Sequence, residues 1–153
     1  MPKNNQRNLQ QDLAYLAGII DGEGCLTFSI EARNPRNQYP ILWITNSNKR
    51  LMNFLKKNFG GNIHKYQNNK KWKPAYAWRV CCQKAINLTK QVFPYLIIKK
   101  PQAELFIQFG FPENNKKYYS AEKKHLFLTE DTLRKRKELV NKMRRLNKKG
   151  YEK

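Results

Sequence analysis

Residues 16–24 read Leu16-Ala17-Gly18-Ile19-Ile20-Asp21-Gly22-Glu23-Gly24, and across them one periodicity gives way to another. Leading into this stretch, Leu9, Leu13, Leu16 and Ile20 recur at helical spacing, which makes one helix face apolar. Gly22 and Gly24 are expected to stop that helix, because glycine takes the left-handed cap conformation without steric cost. The spacing predicts a helix over roughly 10–22. Directly afterwards Leu26, Phe28 and Ile30 alternate with Thr27, Ser29, Glu31 and Arg33, the period-two pattern of a strand with one buried and one wet face. The stretch is therefore a helix-to-strand junction with almost no loop.

Working outward, Asn34-Pro35-Arg36-Asn37 reads as a turn and Tyr39 to Thr45 as the returning strand. Asn46, Ser47 and Asn48 are cap residues ahead of a second helix carrying Leu51, Met52, Leu55 and Phe59, closed by Gly60-Gly61. A second hairpin is expected over roughly 62–68 and 74–82, with Tyr76, Trp78 and Val80 on its inner face. Ile86, Leu88, Val92 and Phe93 mark a third helix ending near Pro94, and Pro101 suits the first turn of another with Leu105, Phe106 and Phe109. Beyond Gly110 the chain turns polar and basic, with helix starts at Ser120 and Thr129 and a final helix through Leu133, Val140, Met143 and Leu146. The order is α-β-β-α-β-β-α plus C-terminal helices: an α+β fold with helices on one face of an antiparallel sheet. We expect one domain over 1–153, with a core at about 10–110 and a basic helical extension at about 111–153.

The 153 residues hold 31 Lys plus Arg against 11 Asp plus Glu, a formal charge of +20. Such an excess repels itself in a compact state and calls for a polyanionic partner. With 40% hydrophobic and 12% aromatic residues the chain can still build a core, which excludes a disordered basic tail. No apolar run approaches the roughly 18 residues of a membrane span. Three cysteines with no C-x-x-C spacing argue against a disulfide framework or zinc site and for a reducing intracellular compartment.

Ala14, Gly18 and Gly22 fall four apart, so one face of the first helix is nearly bare backbone, and a second helix can approach it closely. The end of that helix leaves carbonyls without intrahelical donors, and the Glu23 carboxylate adjoins them. Hard cations such as Mg²⁺ take such oxygens. Away from this junction the close acidic pair is Glu130 with Asp131, which the start of the final helix explains. A metal site needing more than one acid must then draw on a second copy of the chain, with both Glu23 carboxylates at a two-fold axis.

LAGIIDGEG resembles the name-giving motif of the LAGLIDADG homing endonucleases, and the element order is similar to that family's core over about 10–110. A single motif resembles the members that act as homodimers. The resemblance implies a nuclease that cuts both strands of a long pseudo-palindromic DNA site with Mg²⁺, sites that Mn²⁺ or Ca²⁺ also enter. It implies a dimer interface at Ala14, Ala17, Gly18, Asp21 and Gly22, and metal held by Glu23 and the Gly22 carbonyl. It further implies Asn46 as a water-ordering residue and Arg50 and Lys99 as cations that stabilise charge on the phosphate. The host-DNA habitat, in cytoplasm, nucleoid or organelle, stays open. The alternative is a maturase-like protein of the same fold that binds intron RNA without cleaving.

Base reading is expected from the wet faces of the hairpins, because an antiparallel ribbon fits the major groove. Alternation places there Thr27, Ser29, Glu31 and Arg33, then Tyr39 and Trp43, then His64, Tyr66 and Asn68, then Ala75, Ala77 and Arg79. Arg36, Lys65, Lys70, Lys71 and Lys73 near the turns, and the arginines and lysines of the final helix, suit phosphate contacts.

Overall fold

The computed structural model describes residues 3–66, 71, 73–110 and 129–148, without the side chains of 3–8 and 34–36. The elements run α1 (Lys3–Glu23), β1 (Gly24–Glu31), β2 (Asn34–Asn46), α2 (Lys49–Phe59), β3 (Asn62–Tyr66), β4 (Ala75–Cys81), α3 (Cys82–Val92), a 3₁₀ turn (Phe93–Tyr95), α4 (Lys100–Phe109) and α5 (Glu130–Lys148). Helix α1 begins well before residue 10, where the polar run ahead of Leu9 carries no apolar period to reveal it.

The junction after α1 is tighter than expected, and its glycine acts differently. The helix continues through Gly22 to Glu23, and β1 begins at the next residue. Among the described glycines positive φ occurs at Gly60, Gly61 and Gly110 and not at Gly22 or Gly24, so no left-handed cap closes α1. Gly24 is needed because a Cβ there would stand 2.7 Å from Ile20 Cα and 2.8 Å from its carbonyl oxygen. A glycine of positive φ does close α2, where Gly60 has φ 74° and ψ −147° and its N–H donates to Lys56 O.

The four strands pair antiparallel in the order β1-β2-β4-β3. The first turn falls at Ala32–Arg33 rather than at 34–37, and the pairing shifts between Ile30 and Glu31. That irregularity absorbs Pro35, which has no N–H to give a regular ladder. Leu26 and Phe28, Leu42 and Ile44, and Trp78 and Val80 project from one side of the sheet into the core, where Leu16, Ile20, Met52, Leu55, Ile86 and Phe106 meet them. Trp78 is fully buried, and its Nε1 donates to Gly60 O at 2.7 Å. A hydrogen-bonded indole is what a fully buried tryptophan requires.

The last helix, α5, packs on α4 and on edge strand β1, where Asn147 Nδ2 donates to Leu26 O at 3.1 Å. An edge strand covered in this way cannot recruit another chain's strand. Thr129 caps it, with Oγ1 accepting from Thr132 N–H. Arg136 departs from the expected basic surface: it is 3% exposed, lies over the Phe109 ring at 4.3 Å, and Nη2 donates to Gly110 O. Its apolar stem and flat guanidinium pack here rather than reach a phosphate. Ser120 and the other residues of 111–128 lie outside the described residues.

Candidate functional site

The end of α1 gathers the candidate catalytic groups. Asn46, the last residue of β2, donates Nδ2 to Glu23 Oε2 at 2.7 Å. Its Oδ1 accepts the backbone N–H of Asn48 at 2.8 Å, and that bond fixes which side of the amide faces the carboxylate. The α2 cap is Asn48, whose Oδ1 accepts from the N–H groups of Arg50 and Leu51. With capping assigned to Asn48, Asn46 is left to orient Glu23. Arg50 stands exposed on the first turn of α2.

Lys99 meets the same helix end from below. Its Nζ donates to Ile20 O at 2.7 Å and to Asp21 O at 3.0 Å, so a cation closes the negative pole of α1. Burial lowers the Lys99 pKa from its ordinary value, and the nearby Asp21 opposes that shift. Asp21 holds the segment in place: Oδ2 accepts from Ile97 N–H at 2.7 Å and Oδ1 from Lys99 N–H at 2.9 Å. The carbonyls of Gly22 and Glu23 belong to the last turn of α1, past the last intrahelical donor.

These oxygens test whether a metal fits. Among the described residues no three His, Cys, Asp or Glu side chains gather. Among the described residues this helix end offers the Glu23 carboxylate and a terminal carbonyl, hard oxygens suited to Mg²⁺, with most of an octahedron left for water, phosphate oxygens or a second chain. Such a donor set fits Mg²⁺ only with further ligands completing its shell.

The expected dimer stripe is partly corrected. Ala14, Gly18 and Gly22 are exposed, and nothing lies within 4 Å of where a Cβ at Gly18 or Gly22 would stand. Ala17 and Asp21 instead face the chain's own interior at 0% and 8% exposure, because they share the turn positions of Leu13, Leu16 and Ile20. Two apolar residues near the end of the chain's first helix are exposed: Tyr15 at 56%, with its ring edge-on to Phe54, and Ile97 at 84%, with its backbone tied to Asp21. Period alone did not single out Ile97, since it lies outside any helix.

On the side of the sheet away from the helices, the register aligns Cys25, Trp43, Arg79 and Asn62 in a row across all four strands. Thr27, Ser29 and Tyr39 lie on this open face, as do His64 and Tyr66, in agreement with their alternation. So do Ile41 and Thr45, which the same alternation would have found. Ala77 is on this face but 2% exposed, so it forms floor rather than a projecting reader. Arg33 sits in the turn and not on the strand face, and Glu31 accepts at 2.6 Å from Asn37 Nδ2 across the hairpin. Lys65 is exposed but falls in the opposite alternation, opposite Tyr76. Lys71 and Lys73 are exposed, whereas Asn68, Lys70 and the Arg36 side chain lie outside the described residues.

A family model described as LAGLIDADG endonuclease matches residues 16–109, from the first residue of the motif to the end of α4. The chain belongs to the LAGLIDADG endonuclease family. Among solved structures, the homing endonuclease I-CvuI in complex with its target shares the LAGLIDADG fold at TM-score 0.71 and 21% identity, over 95% of this chain and 87% of that one. The archaeal intron-encoded homing endonuclease I-Vdi141I, complexed with DNA, gives TM-score 0.69 and 21% identity over 94% and 88%. The homing endonuclease I-TnaI gives 0.57 and 18% over 89% and 95%. No curated protein sequence matches the chain. In this LAGLIDADG chain no helix among the described residues is long and apolar enough to cross a membrane, and all three cysteines are free.

Proposed function

We propose that this LAGLIDADG endonuclease is a site-specific DNA nuclease that acts as a homodimer and hydrolyses both strands of a long pseudo-palindromic site. The observation that carries the reading is the Glu23 carboxylate, held by Asn46 at a lysine-closed helix end beside an exposed small-residue stripe. Two chains crossing at Ala14, Gly18 and Gly22 bring two such carboxylates to one axis, which supplies the acids a single chain lacks.

Each residue then has a stated task. Glu23 and the Gly22 carbonyl hold the cation, and Asn46 keeps the carboxylate oriented. Mg²⁺ bound through such oxygens supplies Lewis acidity to the phosphodiester, and Mn²⁺ or Ca²⁺ can take the same oxygens. Lys99 and Arg50 place positive charge where phosphate oxygens gain negative charge in the transition state. The open face of the sheet lies in the major groove and the basic turns hold phosphates.

The test is purified protein on a plasmid carrying the intron-free host locus. Wild type is expected to linearise it with Mg²⁺ and not with EDTA, while Glu23→Gln binds the locus without cutting. If wild type binds and never cuts with Mg²⁺ or Mn²⁺, the nuclease reading fails. Stronger binding to its own intron RNA than to the DNA would favour a maturase.

A further inference from the structure

Within the open face lies a small cleft of about 320 Å³, lined by Trp43, Thr45, Tyr66, Ala75, Ala77 and Arg79. We propose that it is a base-reading unit that takes the 5-methyl group of a thymine over Ala75 and Ala77, next to a guanine read by Arg79. This rests on the duplex-reading role proposed above and specifies what part of the half-site it reads.

Arg79 is prepared for such a contact. Its guanidinium carbon lies 5.1 Å from the Trp43 ring centroid and 5.7 Å from that of Tyr66, and Nη2 donates to the Tyr66 hydroxyl. No carboxylate pairs with it among the described residues. Planar rings and one neutral acceptor thus hold an uncompensated cation in a fixed orientation, with donors to spare for the O6 and N7 acceptors of guanine. Adenine shows an amino donor in place of O6 and would meet donors with a donor. Because Arg79 covers both rings, neither offers that face as a stacking platform for an unpaired base.

The rest of the cleft is apolar and short. Ala75 and Ala77 form its floor, Ala77 at 2% exposure, while Trp43, Tyr66 and Thr45 rise around it. In the major groove the projecting apolar group is the thymine methyl, and alanine is a residue that contacts it. Ala77 and Arg79 are successive open-face residues of β4, about 7 Å apart, which spans about two base-pair steps. The expected half-site therefore has a thymine about two base pairs from a guanine. Tyr66 acts as a positioning residue through Arg79.

The test is selection of bound duplexes from a random library in EDTA, where no cleavage interferes, followed by anisotropy titrations on the selected site. Enrichment of a guanine with a thymine about two base pairs away is expected in each half-site. Replacing that thymine by deoxyuridine should weaken binding about fourfold, the effect of one buried methyl. Ala77→Val, or Ala75→Val if the former does not fold, should fill the cleft and equalise thymine and deoxyuridine. Tyr66→Phe should lower the guanine-over-adenine ratio several-fold. Half-sites without this pair, or equal wild-type binding of thymine and deoxyuridine, overturn the proposal while the nuclease reading stands. Failure to enrich any duplex sequence overturns both.

Discussion

Asn46 Nδ2 and Glu23 Oε2 are 2.7 Å apart, a contact between the last residue of β2 and the last residue of α1, 23 positions away in the chain. Both groups are on the surface, so the bond adds little to stability, and its consequence is orientation. We predict that Asn46→Ala lowers the cleavage rate about 10- to 100-fold, the usual cost of removing a residue that orients a metal-binding group. Chemical stability should change by less than about 0.5 kcal/mol. A single-turnover time course beside a denaturant melt checks both, and an unchanged rate would remove Asn46 from the site.

Asp21 lies within the motif yet faces inward. It satisfies two backbone N–H groups, those of Ile97 and Lys99, at 8% exposure. Asp21→Ala removes the acceptor of both donors, which are only part-buried and can be partly rehydrated, so a loss of about 1–2 kcal/mol is expected. Asp21→Asn keeps an acceptor oxygen and should lose less. Urea melts at one fixed protein concentration compare the two, because dimerisation also stabilises the fold. Equal losses for both variants would contradict the two-acceptor account.

How far these features could be read beforehand differs residue by residue. Period two placed Trp43, Tyr66 and Arg79 on one face correctly, because the pleat alternates whatever the tertiary context. The four-residue stripe of Ala14, Gly18 and Gly22 was likewise legible from helical geometry alone. Ala17 and Asp21 fall at the angular positions of Leu13, Leu16 and Ile20, so their burial follows from helical geometry and not from membership of the motif. Asn46 and Asn48 are chemically equivalent in sequence, and only the β2 register settles which one caps α2 and which meets Glu23. The need for glycine at 24 was visible, but its cause was not: the backbone of Ile20 crowds that position. The use of Lys99 to close α1, and the exposure of Ile97, depend on a segment nearly 80 residues downstream.

The motif glycines should separate by their surroundings. Gly24→Ala forces a Cβ to within 2.7 Å of Ile20 Cα, which is backbone and cannot swing away. A loss of about 1–3 kcal/mol is expected, as for other overpacked positions. Gly18→Ala meets nothing within 4 Å in the single chain. There it should raise helix stability by up to about 1 kcal/mol, since alanine is the better helix former. If the stripe is the dimer contact, the added methyl separates the two helices, so dimerisation weakens while the chain itself becomes more stable. Sedimentation velocity with parallel melts reads both quantities, and Gly18→Ala with undiminished dimerisation would move the interface elsewhere.

Cys81 and Cys82 are adjacent but should react very differently. Burial raises the Cys82 thiol from 9.0 to about 11, with the neighbouring Cys81 adding to the shift. At pH 8 very little of Cys82 is then thiolate, the form that alkylates. A raised pKa in the folded state means stability that is present below about pH 9 and lost as pH rises through about 11. Cys82→Ala should therefore flatten the alkaline loss of stability over that window. Cys81 is exposed and pairs with Ile41 in the register, on the open face of the sheet. Iodoacetamide at pH 8 should label Cys81 well ahead of Cys82, and bound target duplex should slow that labelling severalfold by covering the face. Mass-spectrometric mapping of the peptide with and without DNA distinguishes the outcomes. Cys81 labelling that proceeds equally fast on the saturated complex would place the duplex on another surface of the molecule.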